Sequence, residues 1–338
     1  MTDFSPDTSL SQVYLQISAN ILESFPRFRP PVDLYVFKPD LNRVDRLHRA
    51  GKRLGIEAQA RVAGFAREGL LFLLRDDYQV YAEHLSRKLG LVLVEDGLDA
   101  REVAEIFFLA FRERMEAFLD QPREEPLRLL ERDLSILAEY LWVNPCRVEF
   151  LTRSLNKEYG LAVHSVNTMF IGLALYGLMS AGNAGRMELV RIGLGLILHD
   201  LGMTAVPRFI TDKTSYLVRR DRESIEKHID AGLGRLQRLN VSDEVVLQCV
   251  TQHHERLDGS GYPDRLRGTE IGGAGRLCAV ADSFSAMIGD RPYRDGRVVH
   301  EAAAKLAAEG GRYDQGMVAA LVRLLEQGYP ACVVSEAD

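Results

Sequence analysis

The sequence predicts an α-helical bundle in the C-terminal part of the chain, preceded by a small α/β N-terminal domain. Three observations predict it. From about residue 147 onward, apolar residues recur at helical spacing between short, capped loops. Short β-type apolar runs are confined to about the first ninety residues. Five polar pieces, His164, His199-Asp200, His228, His253-His254 and Asp282, recur every 25 to 35 residues. That spacing is one helix plus its connection, so each piece can project from a different helix of one bundle.

The bulk numbers set the frame. A chain of 338 residues exceeds one ordinary helical core and suits two domains. A net charge of −6 and a pI near 5.8 give no general attraction for nucleic acid or an anionic membrane, so neither is expected as a partner. The four cysteines, Cys146, Cys249, Cys278 and Cys332, have no paired spacing and indicate neither a thiolate metal motif nor a disulfide framework. The start, Met1-Thr2-Asp3-Phe4-Ser5-Pro6, lacks the pattern of a signal peptide. The best apolar stretch, Ile192 to Leu198, is far short of the roughly 20 residues that span a bilayer. A cytoplasmic location is the expectation.

Taken in order, Asp33–Phe37 and Leu70–Leu74 read as strands, and Leu91–Val94 as a third. Asp76, with Gln79, is expected to cap a helix over 77–89 that ends at Gly90. His48 and His84 stand alone and read as solvated or packed side chains. Asp99 and Glu102 form a second capping pair ahead of an apolar stripe through Val103, Ile106, Phe107, Ala110 and Met115. Pro122 and Pro126 break that helix, and another runs over 127–142. Further helices are expected over 151–180, 187–201, 221–239, 243–256, 274–289, 298–309 and 315–327, with Gly202 and Gly328 as C-caps and Ser242 and Asp243 at an N-terminus. The implied organisation is residues 1–98 as a regulatory module, 99–146 as a helical linker with a possible dimer surface, and 147–338 as the chemical domain.

The polar pieces lie on apolar helix faces. His199 follows Leu196-Ile197-Leu198 on a helix where Gly193 and Gly195 allow close backbone approach. Asp282 sits between Val280-Ala281 and Phe284. One such histidine is usually a satisfied core residue. Five, with two aspartates, are costly to bury unless they bind something. Imidazole and carboxylate without thiolate suit iron, manganese, zinc or nickel. Seven ligands are too many for one ion with an open position and suit two, with Asp200 as the bridge. Two such ions clamp a phosphodiester for in-line attack by a metal-activated water. After the histidine pair, the run from Glu255 to Asp264 contains Gly261-Tyr262-Pro263, a turn with an aromatic. Arg291 and Arg294, just past the Asp282 helix, offer guanidinium forks for phosphate oxygens.

Together these motifs resemble the HD-GYP family, a branch of the HD superfamily of metal-dependent phosphohydrolases, over about residues 150 to 330. The resemblance is carried by His199-Asp200-Leu201-Gly202, by the run His253 through Pro263, by Leu266–Ile271 and by Asp290–Arg294. It implies an HD-superfamily helical bundle and a cyclic-di-GMP phosphodiesterase yielding linear pGpG or GMP, with a mixed cyclic GMP-AMP as the alternative substrate. It implies His164, His199, Asp200, His228, His253, His254 and Asp282 as metal ligands, Asp200 as the catalytic bridge, and iron or manganese as the cofactor. Substrate contacts are expected from Gly261, Tyr262, Pro263, Arg291 and Arg294. The position of a third-metal glutamate holds Gly160, so two divalent ions are expected. Met203 stands where the family usually has a lysine, and Ser285 where an aspartate is common. Met203 keeps open a second reading, a weak or inactive receptor or docking module whose Gly-Tyr-Pro loop meets a diguanylate cyclase. A homodimer through the 99–142 helices is also an expectation.

Overall fold

A computed structural model describes residues 13–25, 29–94, 98–216, 218–291 and 294–329. The chain start, Pro292-Tyr293 and Cys332 fall outside these residues. The chain divides into two compact units, Met1–Ala110 and Phe111–Asp338.

The first unit is built on a four-stranded antiparallel sheet. Its strands are β1 (Tyr14–Gln16), β2 (Leu34–Lys38), β3 (Arg43–His48) and β4 (Leu71–Leu74), in the order β1-β4-β2-β3. Leu34, Val36, Leu71 and Leu73 are buried, joined by Ile17 and Ile21 of the segment around α1 (Ala19–Ser24). On the sheet, Tyr14, Val44 and Phe72 form a second apolar cluster. The expected strands at β2 and β4 are present. Leu91–Val94 is part of a 3-10 turn over Leu89–Val94 instead of a strand. Sequence patterning overlooks two strands, β1 and β3. β3 is an edge strand in which Arg43, Asp45 and Arg46 are charged, and Asp45 pairs with Lys38 at 2.6 Å. Two helices complete the unit, α2 (Ile56–Arg67) and α3 (Tyr78–Ser86). Asp76 lies in a 3-10 turn ahead of α3 and provides no side-chain cap. At α4 (Ala100–Asp120) the expected box is in place: Asp99 Oδ1 accepts from Glu102 N at 2.8 Å, and Glu102 Oε2 from Asp99 N at 3.0 Å.

The second unit is helical: α5 (Glu124–Val143), α6 (Val148–Arg153), α7 (Leu161–Met179), α8 (Arg186–Leu198), α9 (Arg208–Thr211), α10 (Arg219–Glu226), α11 (His228–Arg238), α12 (Glu244–Gln252), α13 (Gly273–Ile288), α14 (Val299–Ala308) and α15 (Gln315–Gln327). Pro126 lies in the first turn of α5, where a missing N–H costs nothing, so it opens that helix rather than breaking it. The 151–180 and 221–239 expectations each resolve into two helices, α6 with α7 and α10 with α11. Asp243 caps α12, its carboxylate accepting from Val245 N at 2.9 Å. Gly328 closes α15 with φ 72°. Cys249 and Cys278 are free and buried, whereas Cys146 is disulfide-bonded, a pairing its sequence spacing did not indicate.

The core of this unit is α7, α8, α12 and α13. Helix α7 packs on α8 and α13, and α12 packs on both of those. Helix α7 is the one helix among the described residues long and apolar enough to cross a membrane, and 78% of that window is buried among its neighbours. It is a core helix, longer than the 192–198 stretch that stands out in the sequence. Glycines set the close approaches. A Cβ at Gly195 would meet Cys249 Sγ at 2.8 Å and Val246 Cα at 3.2 Å, so α8 and α12 lie almost backbone to backbone. The first turn of α7, the ends of α8 and α12 and the middle of α13 carry the polar residues.

Candidate metal centre

The helix ends bring the five polar pieces together. His164 projects from the first turn of α7, His199 and Asp200 follow α8, and His228 opens α11. His253 and His254 follow α12, and Asp282 sits in α13. Gly202 makes the junction possible. A Cβ there would fall 1.8 Å from the His228 carbonyl oxygen and 2.6 Å from Gly232 N. The turn after Asp200 therefore lies directly on α11, and Gly202 acts through this contact instead of as a helix C-cap. Arg235 of α11 donates to the Leu201 carbonyl at 3.0 Å and fastens the same junction.

Asp200 lies at the middle of the cluster and faces both sides. Its Oδ1 is 3.3 Å from His228 Nε2 and 3.5 Å from His253 Nε2. Its Oδ2 is 3.6 Å from both His164 Nε2 and His199 Nε2. Asp282 joins the second side, with Oδ1 3.0 Å from His164 Nε2 and 3.7 Å from His199 Nε2. Its other oxygen is 3.9 Å from His254 Nδ1. Two groups of ligand atoms result, His164, His199 and Asp200 on one side, and Asp200, His228, His253 and His254 on the other. All seven residues named from the sequence meet here.

The donor set fits divalent cations. Within each group two imidazole Nε2 atoms face each other at 3.3 Å, His199 with His164 and His228 with His253. Paired lone pairs repel unless a proton or a cation lies between them. Asp200 Oδ1 is buried without a hydrogen-bond partner, a costly state for a carboxylate oxygen that a cation would relieve. The outer nitrogens are already committed. Nδ1 of His199 meets the Leu196 carbonyl at 2.8 Å, that of His228 the Ile225 carbonyl at 2.7 Å, and that of His253 the Cys249 carbonyl at 2.8 Å. A carbonyl only accepts, so in their neutral form these three rings carry their proton on Nδ1 and turn a bare Nε2 inward.

The charge states suit ligation. Asp200 and Asp282 are held well below the usual carboxylate range: burial opposes this, and the surrounding imidazoles override it. Burial pushes His254 well below the ordinary imidazole value, reinforced by His253, and it lowers His253 as well. His199 is the exception. Burial works against its proton, but Asp200 and Asp282 beside it raise it to about 9.

A cavity of about 1110 Å³ opens over the cluster. His164, Asp200, His254 and Asp282 form its floor, and Met203, Tyr262 and Arg291 are among its walls. Tyr262 stacks on His254, ring centroids 4.6 Å apart at 29°. Burial and the two aspartates raise its phenol, which stays a donor. Gly261 and Pro263 shape the loop without lining the cavity. A Cβ at Gly261 would fall 2.5 Å from His254 O and Arg256 N, so only glycine lets the loop fold back on the histidine pair. Arg291 reaches the cavity, but Arg294 turns away. Its guanidinium donates to the Ala286 carbonyl at 2.9 Å and to those of Met287 and Asp295 at 3.4 Å. Gly160 stands at the N-cap of α7.

Two residues that sequence reasoning passed over hold the loop. Glu255 is 1% exposed. Its carboxylate accepts from Asp264 N at 2.7 Å and from Arg265 N and Leu266 N at 3.1 Å. Arg256 donates to the His253 and Glu255 carbonyls at 2.9 and 2.8 Å and lies over the Tyr313 ring at 4.6 Å. Their only signal was position, two charges directly after a histidine pair that has to be buried.

Comparison with known proteins agrees with this geometry. The HD domain family model matches residues 183–317. A 3'3'-cGAMP-specific phosphodiesterase 2 of Vibrio cholerae is 36% identical over 117 residues, 34% of this chain and 22% of that protein. A cyclic di-GMP phosphodiesterase of Thermotoga maritima is 36% identical over 132 residues, 38% of this chain and 35% of its own. The cyclic di-GMP phosphodiesterase response regulator RpfG of Xanthomonas campestris pv. campestris is 38% identical over 128 residues, 37% and 34% respectively. The match thus spans about a third or less of each of these relatives. Among solved structures, Bd1817, a HDG"Y"P protein from Bdellovibrio bacteriovorus, superposes with a TM-score of 0.61 at 20% identity, over 92% of this chain and 99% of its own. Residues 183–317 thus match the HD domain family model, and the chain shares its fold with Bd1817.

Proposed function

We propose that this protein is a metal-dependent phosphodiesterase that hydrolyses a guanine-containing cyclic dinucleotide, cyclic di-GMP first and the mixed cyclic GMP-AMP second, to the linear dinucleotide or its mononucleotides. The observation that carries the proposal is Asp200. One carboxylate presents Oδ1 to one histidine pair and Oδ2 to another, on the floor of a cavity large enough for a dinucleotide. That placement supports reading Asp200 as a bridge between two cations. The HD domain model covers residues 183–317, which contain six of the seven ligands, and relatives named as cyclic dinucleotide phosphodiesterases are 36–38% identical over 117–132 residues.

His164, His199 and Asp282 would hold one divalent ion with Asp200, and His228, His253 and His254 the other, iron or manganese being the expected metals. Bound there, the pair would supply Lewis acidity and a water acidified toward neutral pH. The chain's own residues do the rest. Tyr262, fixed by its stack on His254, offers a phenolic donor at the cavity wall. Arg291 offers a guanidinium fork for a phosphate oxygen. Glu255 fixes the loop that carries Tyr262.

Met203 supports the second reading. It lines the cavity beside Asp200 with a thioether in place of a cation, which weakens stabilisation of developing phosphate charge while leaving the cavity able to bind. In that reading the protein is a cyclic dinucleotide receptor or docking module, with a diguanylate cyclase as its partner. Turnover of cyclic di-GMP and of 3'3'-cGAMP by Mn(II)- or Fe(II)-loaded protein separates the two. Product abolished by Asp200→Ala supports the enzyme, and tight binding without product supports the receptor. A cytoplasmic location and a homodimer through residues 99–142 accompany either reading.

A further inference from the structure

Ser285 is 1% exposed on α13, one turn beyond Asp282. Its Oγ lies 3.0 Å from His164 Nδ1 and 3.2 Å from the His164 carbonyl oxygen. His199, His228 and His253 rest their Nδ1 on main-chain carbonyls, which can only accept. His164 alone among these rings rests on a hydroxyl, which both donates and accepts. The difference has a chemical consequence. A carbonyl forces the proton onto Nδ1 and leaves Nε2 free to ligate. A hydroxyl accepts Nδ1–H while donating its own hydrogen bond to the His164 carbonyl, or it turns and donates to a bare Nδ1. In the second state the proton sits on Nε2, where Asp282 Oδ1 waits at 3.0 Å. His164 thus has two satisfied tautomers, and only one of them binds a cation.

We infer that Ser285 is a positioning residue that sets the His164 tautomer, and so tunes the cation site on the His164–His199 side independently of the site on the His228–His253 side. This rests on the two-cation reading above. Asp200 couples the sites, but the outer partner of His228 and His253 is the main chain, which no side-chain change at 285 reaches. Removing the hydroxyl strands Nδ1–H in a buried setting and favours the tautomer that cannot ligate. A carboxylate at 285, which only accepts, locks the ligating tautomer and raises ring basicity.

The test is calorimetric titration of the chelator-stripped full-length protein with Mn(II), with metal content measured after dialysis and melting of the metal-free form as a fold control. Wild type should bind two ions. Ser285→Ala should weaken one site by about 10- to 100-fold, the range for loss of an outer-sphere partner, and leave the other site and the metal-free melting unchanged. Ser285→Asp or Ser285→Thr should restore it, aspartate to tighter than wild type. Two ions in wild type with identical affinities in Ser285→Ala would overturn the inference. So would equal weakening of both sites together with lower metal-free melting, which marks a packing role. Fewer than two ions in wild type would instead overturn the two-cation reading itself.

Discussion

The floor of the cavity and its rim are built by different means. The floor and the ligand cluster beneath it are seven side chains, six of them at or next to helix ends and Asp282 within α13. His199, His228 and His253 are essentially without exposure, and their outer nitrogens are held by main-chain carbonyls. The rim is loop. Tyr262 is placed by one buried carboxylate, Glu255, gathering three backbone N–H groups, and by a ring stack. A floor built this way tolerates almost no substitution. A rim built this way can be retuned one side chain at a time, which is where substrate choice and turnover can vary within one fold.

The largest expected effect lies at the centre of the floor. Asp200→Ala should remove both ions, because one carboxylate faces both groups; metal analysis showing two ions per chain retained would break the ligand scheme. Next is Gly202→Ala. Its Cβ would fall 1.8 Å from the His228 carbonyl, and forced separation of α11 from the turn should cost about 1–3 kcal/mol or more along with metal on the His228 side. Denaturant melts of wild type and variant, read with metal content, check it.

At the rim, effects should be smaller and should spare the metals. Glu255→Ala leaves three N–H groups without their acceptor, at about 1–3 kcal/mol for each that stays buried. It should loosen the Tyr262 loop, visible as faster amide exchange over 261–266, with dinucleotide affinity falling while metal content holds. Met203→Lys should raise turnover if the missing cation limits the chemistry, and an unchanged rate would count against that. Arg291→Ala and Arg294→Ala sharpen the contrast between neighbours. Arg291 lines the cavity, so its loss should weaken dinucleotide binding. Arg294 serves the carbonyls at the end of α13, so its loss should cost about 1 kcal/mol of stability with binding little changed.

The same division explains what was legible in the sequence. The ligands of the floor could be read because their chemistry needs fixed residue types and helices impose a regular spacing. Five histidines and two aspartates together on apolar faces have few other uses. The rim was read in part. Gly261-Tyr262-Pro263 marks a turn, but that Glu255 is its anchor depends on three N–H groups converging from residues nine to eleven positions on. Arg291 and Arg294 look alike in sequence, and only the end of α13 decides which reaches the cavity. In the first unit, β1 is only three residues long, and β3 is an edge strand whose charged Arg43, Asp45 and Arg46 blur the alternation that marks a strand.

The most direct test of the central claim is the chromatographically resolved turnover of cyclic di-GMP by full-length protein loaded with Mn(II), or anaerobically with Fe(II), with metal content measured on the same sample. The account predicts two ions per chain, a linear or mononucleotide product, and loss of both in Asp200→Ala. Two bound ions with no product from either cyclic di-GMP or 3'3'-cGAMP would contradict it as an enzyme.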